Sequence, residues 1–286
     1  MSGTRVTVIG AGTMGHGIAQ VSAMAGHSVV LHDVDEARVQ HGLAQISANL
    51  DKGVARGKVS EETRSAALAH LSGQSDLAAA VAGADIVIEA VPEDPDLKAQ
   101  IFAHLGGLMA AGAILGSNTS SLSVADLARH APDPTRFLGL HFFNPVHIMA
   151  LVEVVHGPET SSETLDGALE FVASLGKTPI VVRDSPGFAS SRLGVALGME
   201  AIRMLEEGVA SAEDIDRAME LGYRHPMGPL RLTDLVGLDV RLDIARYLYR
   251  TLDSPRFEPP ALLERMVSEG RLGKKSGRGF YDWTEA

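Results

Sequence analysis

The chain has 286 residues, 45% apolar and 21% charged, with 25 basic against 36 acidic side chains and a net charge of −11. That length holds two ordinary domains, the composition excludes a disordered, collagen-like or repeat protein, and no apolar run is long enough to span a bilayer. The acidic balance argues against nucleic acid as a partner, and the absence of cysteine removes disulfides, thiolate catalysis and cysteine-held metals, which fits a cytoplasmic protein with no metal site.

The first elements alternate strand and helix, the pattern of a parallel α/β sheet. Residues 5–9 are a β-branched run read as a strand, residues 13–25 a helix closed by Gly26, and residues 28–32 a second strand ending on Asp33. Between strand and helix lies Gly10-Ala11-Gly12-Thr13-Met14-Gly15, a G-x-G-x-x-G sequence. Gly10 permits a tight turn, Gly12 lets the backbone approach a pyrophosphate, and Gly15 allows the helix to pack on the strand. The helix N-terminus at Thr13 and Met14 faces the anion. Asp33 can accept hydrogen bonds from a ribose 2′-hydroxyl and would repel a 2′-phosphate, which predicts NAD rather than NADP. A glycine-rich turn without ligand is the plainer explanation of the six residues alone. Strand, helix and acid together favour the dinucleotide.

Residues 36–71 make a long crossover broken at Gly57-Lys58-Val59-Ser60, read as two helices protruding from the sheet as a hairpin. Buried strands follow at 86–91, 114–117 and 137–143, with later strands at 151–155 and 180–182. Ser117-Asn118-Thr119-Ser120-Ser121 stands at the C-terminal end of a strand, where open α/β sheets bind ligands. Ser120 or Ser121 would serve equally as the N-cap of a helix near residues 124–128. His141 lies in an apolar strand, by default as a satisfied core histidine. Twelve residues on, Glu153 interrupts Leu151-Val152-Glu153-Val154-Val155. A carboxylate inside such a run either points to solvent or needs a buried partner, and His141 fits. The carboxylate would fix the ring tautomer and leave the other nitrogen to take a proton, which alcohol oxidation requires.

After Asp184-Ser185-Pro186-Gly187 the period changes to helical. Leu193, Leu197, Ala201, Met204 and Leu205 form one apolar stripe ended by Gly208. Ser211-Ala212-Glu213-Asp214 resembles a capping box, and Leu238, Leu242, Ala245, Leu248 and Leu252 form a further stripe. The predicted organisation is an α/β, Rossmann-type NAD-binding domain with a helical hairpin insertion over 1–184, then an all-helical domain over 185–286. The stripes of the second domain predict a homodimer.

These pieces resemble the short-chain L-3-hydroxyacyl-CoA dehydrogenases, of the 3-hydroxybutyryl-CoA dehydrogenase type. The likeness runs through nearly the whole chain. Besides the glycine turn it rests on Ile88-Glu89-Ala90-Val91-Pro92-Glu93, Ser117 to Leu122, His141 to Pro145, Leu151 to Val154, Asp184 to Phe188, His225-Pro226-Met227-Gly228-Pro229 and Gly273-Lys274-Lys275-Ser276-Gly277. The resemblance implies NAD-dependent, reversible oxidation of an L-3-hydroxyacyl-CoA to the 3-ketoacyl-CoA. It implies His141 as catalytic base, Glu153 as the group that orients it, and Ser120 on the substrate's 3-oxygen. It places Glu93, Lys98, Asn144 and Lys275 at the cofactor. It also implies that the hairpin, with Lys52 and Arg56, helps hold coenzyme A. An ordinary solvated helix face accounts equally well for Lys52, Arg56 and Lys58.

Two departures bear on the acyl group. Ser191 stands where relatives often carry an asparagine thought to help hold the acyl carbonyl. The stretch Met149-Ala150-Leu151-Val152-Glu153 has alanine for the family's lysine, with His147 nearby in place of a common proline. Two other functions stay open on the residues: a dehydrogenase of a hydroxy acid not linked to coenzyme A, and a non-catalytic NAD-binding module. The set Ser120, His141 and Glu153 argues against the second, since a pure binder needs none of them.

Overall fold

The computed structural model describes residues 3–284. Two compact units meet in sequence between Ser185 and Pro186. In the first, β1 (Arg5–Ile9), β2 (Ser28–His32), β3 (Leu71–Gln74), β4 (Ile86–Glu89), β5 (Ile114–Ser117), β6 (Phe137–Phe142), β7 (Leu151–His156) and β8 (Thr178–Arg183) form one sheet in the order β3-β2-β1-β4-β5-β6-β7-β8. Neighbours are parallel except β6 and β7, which run antiparallel. The connections carry α1 (Thr13–Met24), α2 (Glu36–Ala55), α3 (Glu61–Ala69), α4 (Leu77–Val81), α5 (Pro95–His104), α6 (Val124–Ala128) and α7 (Ser162–Ser174). β4, β5 and β6 are buried from end to end, as strands with helices over both faces are, and this is why they read as near-continuous apolar runs. Strand order reverses between β1 and β4, so their carboxyl ends flank the crevice where such sheets bind ligands.

The second unit is all helical, with α8 (Ser190–Glu206), α9 (Ala212–Gly222), α10 (Pro229–Val236), α11 (Leu238–Leu252) and α12 (Ala261–Ser268). The predicted stripes close its core in part: Ala201 packs with Leu238, Leu242, Ala245 and Leu248, and Met204, Leu205 and Leu252 lie against them, whereas Leu193 at the start of the first stripe is exposed. Ser211 caps α9: its Oγ accepts from the Asp214 N–H at 3.2 Å, and its hydroxyl donates to the Asp214 carboxylate at 2.9 Å.

The Rossmann-type sheet and the helical second unit are those the sequence predicts. Two details differ. The hairpin does not stand off the sheet: Ile46 and Leu50 of α2 and Ala67 of α3 are buried in the same core as Ile18 and Val21 of α1. It also leads into β3, a strand the sequence reading lacks. Leu71-Ser72-Gly73-Gln74 is a half-exposed edge with no apolar alternation, and its pairing with β2 comes from tertiary placement. Gly73 is required there, because a Cβ would come within 2.4 Å of Val39 Cγ1.

A buried histidine should make the first unit sensitive to acid. His27 Nε2 lies 2.8 Å from Ser174 Oγ, and its Nδ1 is buried with no hydrogen-bond partner. Burial, aided by His70, pulls the His27 pKa below its ordinary value of 6.5. The unfolded chain therefore takes up a proton that the folded chain resists. The contribution of neutral His27 is intact above the ordinary value and declines as pH falls through it toward the lowered one. Thermal melts at pH 7.5 and 5.5 should show a smaller acid-induced drop in Tm for His27→Gln than for the parent chain.

Candidate active site

The glycine turn joins β1 to α1. Gly10 has φ +101°, and a Cβ there would come within 2.8 Å of the Ala90 carbonyl oxygen. A Cβ on Gly15 would strike the Gly10 carbonyl, so helix and strand approach too closely for any other residue. A Cβ on Gly12 would meet only open space, the side from which a ligand can reach the backbone. α1 starts at Thr13 with no side-chain cap and no acidic residue in its first turn, so its first N–H groups and positive dipole end are left for an anion. At the end of β2 the Asp33 carboxylate accepts from the Ala11 N–H and the Val34 N–H, each at 2.8 Å. It thus braces the turn while keeping acceptor capacity. This donor and acceptor set fits the diphosphate and a ribose diol of NAD. Replacing Asp33 with alanine should weaken NAD binding by roughly tenfold and narrow the preference for NAD over NADP, as measured by parallel titrations with the two cofactors.

A cavity of about 390 Å³ opens beyond this turn. Its lining includes Met14, Glu93, Asn118, Ser120, His141 and Asn144. The first unit therefore gathers predicted cofactor and catalytic residues from four separate stretches of chain. The central pair follows from strand register. His141 of β6 is the direct partner of Glu153 of β7, and the two side chains lie on one face with His141 Nδ1 2.7 Å from Glu153 Oε2. Glu153 is wholly buried. A carboxylate only accepts, so Nδ1 carries the hydrogen and Nε2 is the nitrogen able to take a proton. The Phe143 ring packs 4.4 Å from the imidazole, centroid to centroid, and limits its rotation.

Ser120 is held by Glu93. One oxygen, Oε1, accepts from the Thr119 hydroxyl at 2.7 Å, the Ser120 N–H at 2.8 Å and the Ser121 N–H at 3.0 Å, with the Ser120 hydroxyl at 3.2 Å. Burial pushes the Glu93 carboxyl up, but the Thr119 hydrogen bond, Lys98 and the serine N–H and O–H groups outweigh it and leave it below the usual carboxylate range. Ser120 is thus bound into a turn against Glu93, and the nearby helix α6 is capped by Ser123, whose Oγ accepts from the Asp126 N–H at 3.1 Å.

Lys98 does not face the cavity. It is 1% exposed, with Nζ 2.6 Å from Glu89 Oε1 and 3.4 Å from Glu93 Oε2. Its place is behind Glu93, because the first turns of α5 turn it inward onto the end of β4. Lys52, Arg56 and Lys58 are exposed on the hairpin. Ser191 lies in the first turn of α8 and is half-buried, and Lys275 Nζ pairs with Asp239 Oδ2 at 2.5 Å within the helical unit.

Sequence reading missed the roles of Asn118, Ser117 and Glu89. Asn118 lines the cavity and its Oδ1 accepts from the Phe142 N–H at 2.9 Å, which ties β5 to the strand that carries His141. Its position directly after a strand was the available signal. Glu89 was visible as a lone charge closing an apolar run. Among the described residues no group of three or more His, Asp or Glu side chains could hold a metal ion, and no helix is long and apolar enough to cross a membrane.

Both units of the chain match one family of known proteins. The NAD-binding domain of 3-hydroxyacyl-CoA dehydrogenase matches residues 5–185, and the C-terminal domain of the same family matches residues 187–283. The 3-hydroxybutyryl-CoA dehydrogenase of Bradyrhizobium diazoefficiens is 44% identical over 99% of this chain and 96% of its own length. The mitochondrial hydroxyacyl-coenzyme A dehydrogenase of Sus scrofa is 43% identical over 97% of this chain and 90% of its own. The crystal structure of (S)-3-hydroxybutyryl-CoA dehydrogenase from Ralstonia eutropha superposes with a TM-score of 0.94 at 42% identity, covering 99% of both chains.

Proposed function

This chain belongs to the 3-hydroxyacyl-CoA dehydrogenase family, and on that premise we propose that it catalyses the reversible, NAD-dependent oxidation of L-3-hydroxyacyl-CoA, of the 3-hydroxybutyryl-CoA type, to 3-ketoacyl-CoA. The observation that carries the proposal is the buried 2.7 Å contact between His141 and Glu153 on the wall of the cavity beside the glycine turn. Nε2 of His141 takes the proton of the substrate's 3-hydroxyl. Glu153 accepts from Nδ1 and stabilises the imidazolium that results. Ser120 hydrogen-bonds the 3-oxygen and orients it toward His141. Bound NAD supplies the hydride acceptor. In the reductive direction the imidazolium returns its proton to the 3-oxygen. Each oxidation releases one proton, so rising pH drives oxidation and falling pH drives reduction.

Gly10, Gly12, Thr13, Met14, Gly15 and Asp33 hold the adenosine and diphosphate side of the cofactor, and Glu93 and Asn144 its other end, with Lys98 acting through Glu93. Lys275 is assigned to the cofactor, Lys52 and Arg56 to coenzyme A, and Ser191 to the acyl group, by likeness to the family. Leu193, Leu221 and Tyr223 of the helical unit are 72%, 80% and 76% exposed, and such apolar surface supports a homodimer through that unit. The cysteine-free composition supports a cytoplasmic location.

The test is kcat/KM with 3-hydroxybutyryl-CoA and with free 3-hydroxybutyrate, using NAD and NADP. Turnover of the thioester with NAD should exceed that of the free acid by roughly 10²-fold or more, because the coenzyme A contacts are lost with the free acid. Comparable turnover of the free acid would favour a substrate without coenzyme A. Tight NADH binding with no turnover would favour a binding module.

A further inference from the structure

Glu89, Lys98 and Glu93 form a cluster of three charges at the end of β4. The Glu89 carboxylate is wholly buried. Its Oε2 accepts from the Ser117 hydroxyl at 2.6 Å, and its Oε1 accepts from the Val91 N–H at 2.7 Å and from Lys98 Nζ at 2.6 Å. Lys98 is the one basic side chain in ion-pair contact with either carboxylate among the described residues, and it sits nearer to Glu89 than to Glu93, whose Oε2 is 3.4 Å away. Glu93 lines the cavity beside Ser120 and His141.

Burial pushes the Glu89 carboxyl up, while Lys98, the Ser117 hydroxyl and the Val91 N–H pull the other way as three donors to its carboxylate form. With both carboxyls ionised, two carboxylates share one ammonium and the cluster carries a net negative charge. Desolvating an unbalanced charge is costly unless something offsets it. A buried Lys98 paired with Glu93 alone would be neutral and would need no Glu89. The extra carboxylate draws Lys98 away from Glu93 and leaves Glu93 as a net anion facing the cavity. The ring that the proposed function brings into this cavity is cationic in its oxidised form and neutral in its reduced form.

We propose that Glu89 is a positioning residue that, by engaging Lys98, keeps a net negative charge on the cavity wall and so favours binding of NAD⁺ over NADH. This rests on the dehydrogenase reading, since it requires the nicotinamide to bind beside Glu93. Glu89 touches neither substrate nor cofactor. It acts through Lys98, and Ser117 holds it in place.

The test is the ratio Kd(NAD⁺)/Kd(NADH), measured by calorimetric titration of the full chain. Glu89→Gln leaves Lys98 and Glu93 as a neutral pair, and the ratio should rise roughly tenfold, the effect of one charge at about 10 Å in an effective dielectric of about 20. Glu89→Asp keeps the charge and shortens the side chain, so its ratio should stay within twofold of the parent even if both constants weaken. A merely structural role for Glu89 would move both constants together and leave the ratio unchanged in both variants. A ratio within twofold of the parent for Glu89→Gln overturns the inference and leaves the dehydrogenase reading intact. If that variant does not fold, Glu93→Gln, at a partly exposed position, should raise the ratio in the same sense, and an unmoved ratio overturns the inference. A parent chain that binds neither dinucleotide overturns this inference and the proposed function together.

Discussion

Replacing His141 with glutamine should lower kcat by about 10² to 10⁴-fold in both directions, the usual contribution of a positioned general base, with the Kd for NADH within twofold of the parent. Glutamine is close to histidine in length and its amide can still donate to Glu153, so the buried carboxylate keeps a donor and β6 keeps its ladder. What the amide cannot do is accept a proton at neutral pH. The loss should therefore fall on kcat rather than on cofactor binding, a division that steady-state kinetics and NADH titration separate. Turnover near that of the parent chain would remove the proposed mechanism.

Glu153→Gln should produce the second large loss, about 10² to 10⁴-fold in kcat. The new amide oxygen can still accept from Nδ1 of His141, so the tautomer survives where the side chain orients correctly. The loss is of a negative charge 2.7 Å from the ring nitrogen, in a position sealed from water. A charge so placed stabilises the imidazolium far more than it would in solvent. Glu153→Asp retains the charge but withdraws it by one carbon, so it should recover part of the activity. Equal activity of the Gln and Asp variants would show that Glu153 serves packing alone. Circular dichroism melts of both guard against loss of the fold, since either change sits in the middle of the sheet.

The parts of this molecule legible in its sequence are those whose partners are near in the chain or fixed by a period. The glycine turn reads directly, because strand, turn, helix and Asp33 follow one another within 29 residues, from Arg5 to Asp33. The pairing of His141 with Glu153 reads almost as directly. Two apolar runs joined by residues 143–150 fold back on each other, and the two polar interruptions fall opposite one another in the antiparallel register. The edge strand β3 was not legible, because a polar half-exposed tetrapeptide has no pattern of its own. Nor was the grip of Glu93 on Ser120, or of Glu89 on Ser117, legible. Those pairs lie 27 and 28 residues apart and meet only because parallel strands end side by side. Lys98 was assigned to the cofactor from likeness, and burial on α5 gives it a different place.

Among the described residues the one antiparallel step in the sheet joins β6 to β7. The proposed acid–base couple is stitched into that seam, shared between two core strands, rather than hung on a mobile loop. A lineage can therefore rewrite its surface helices and connecting segments, and drift among acyl groups, while inheriting the proton chemistry unaltered. Positions such as His147, Ala150 and Ser191 are where such drift would leave its record, and positions 141 and 153 are where it would not.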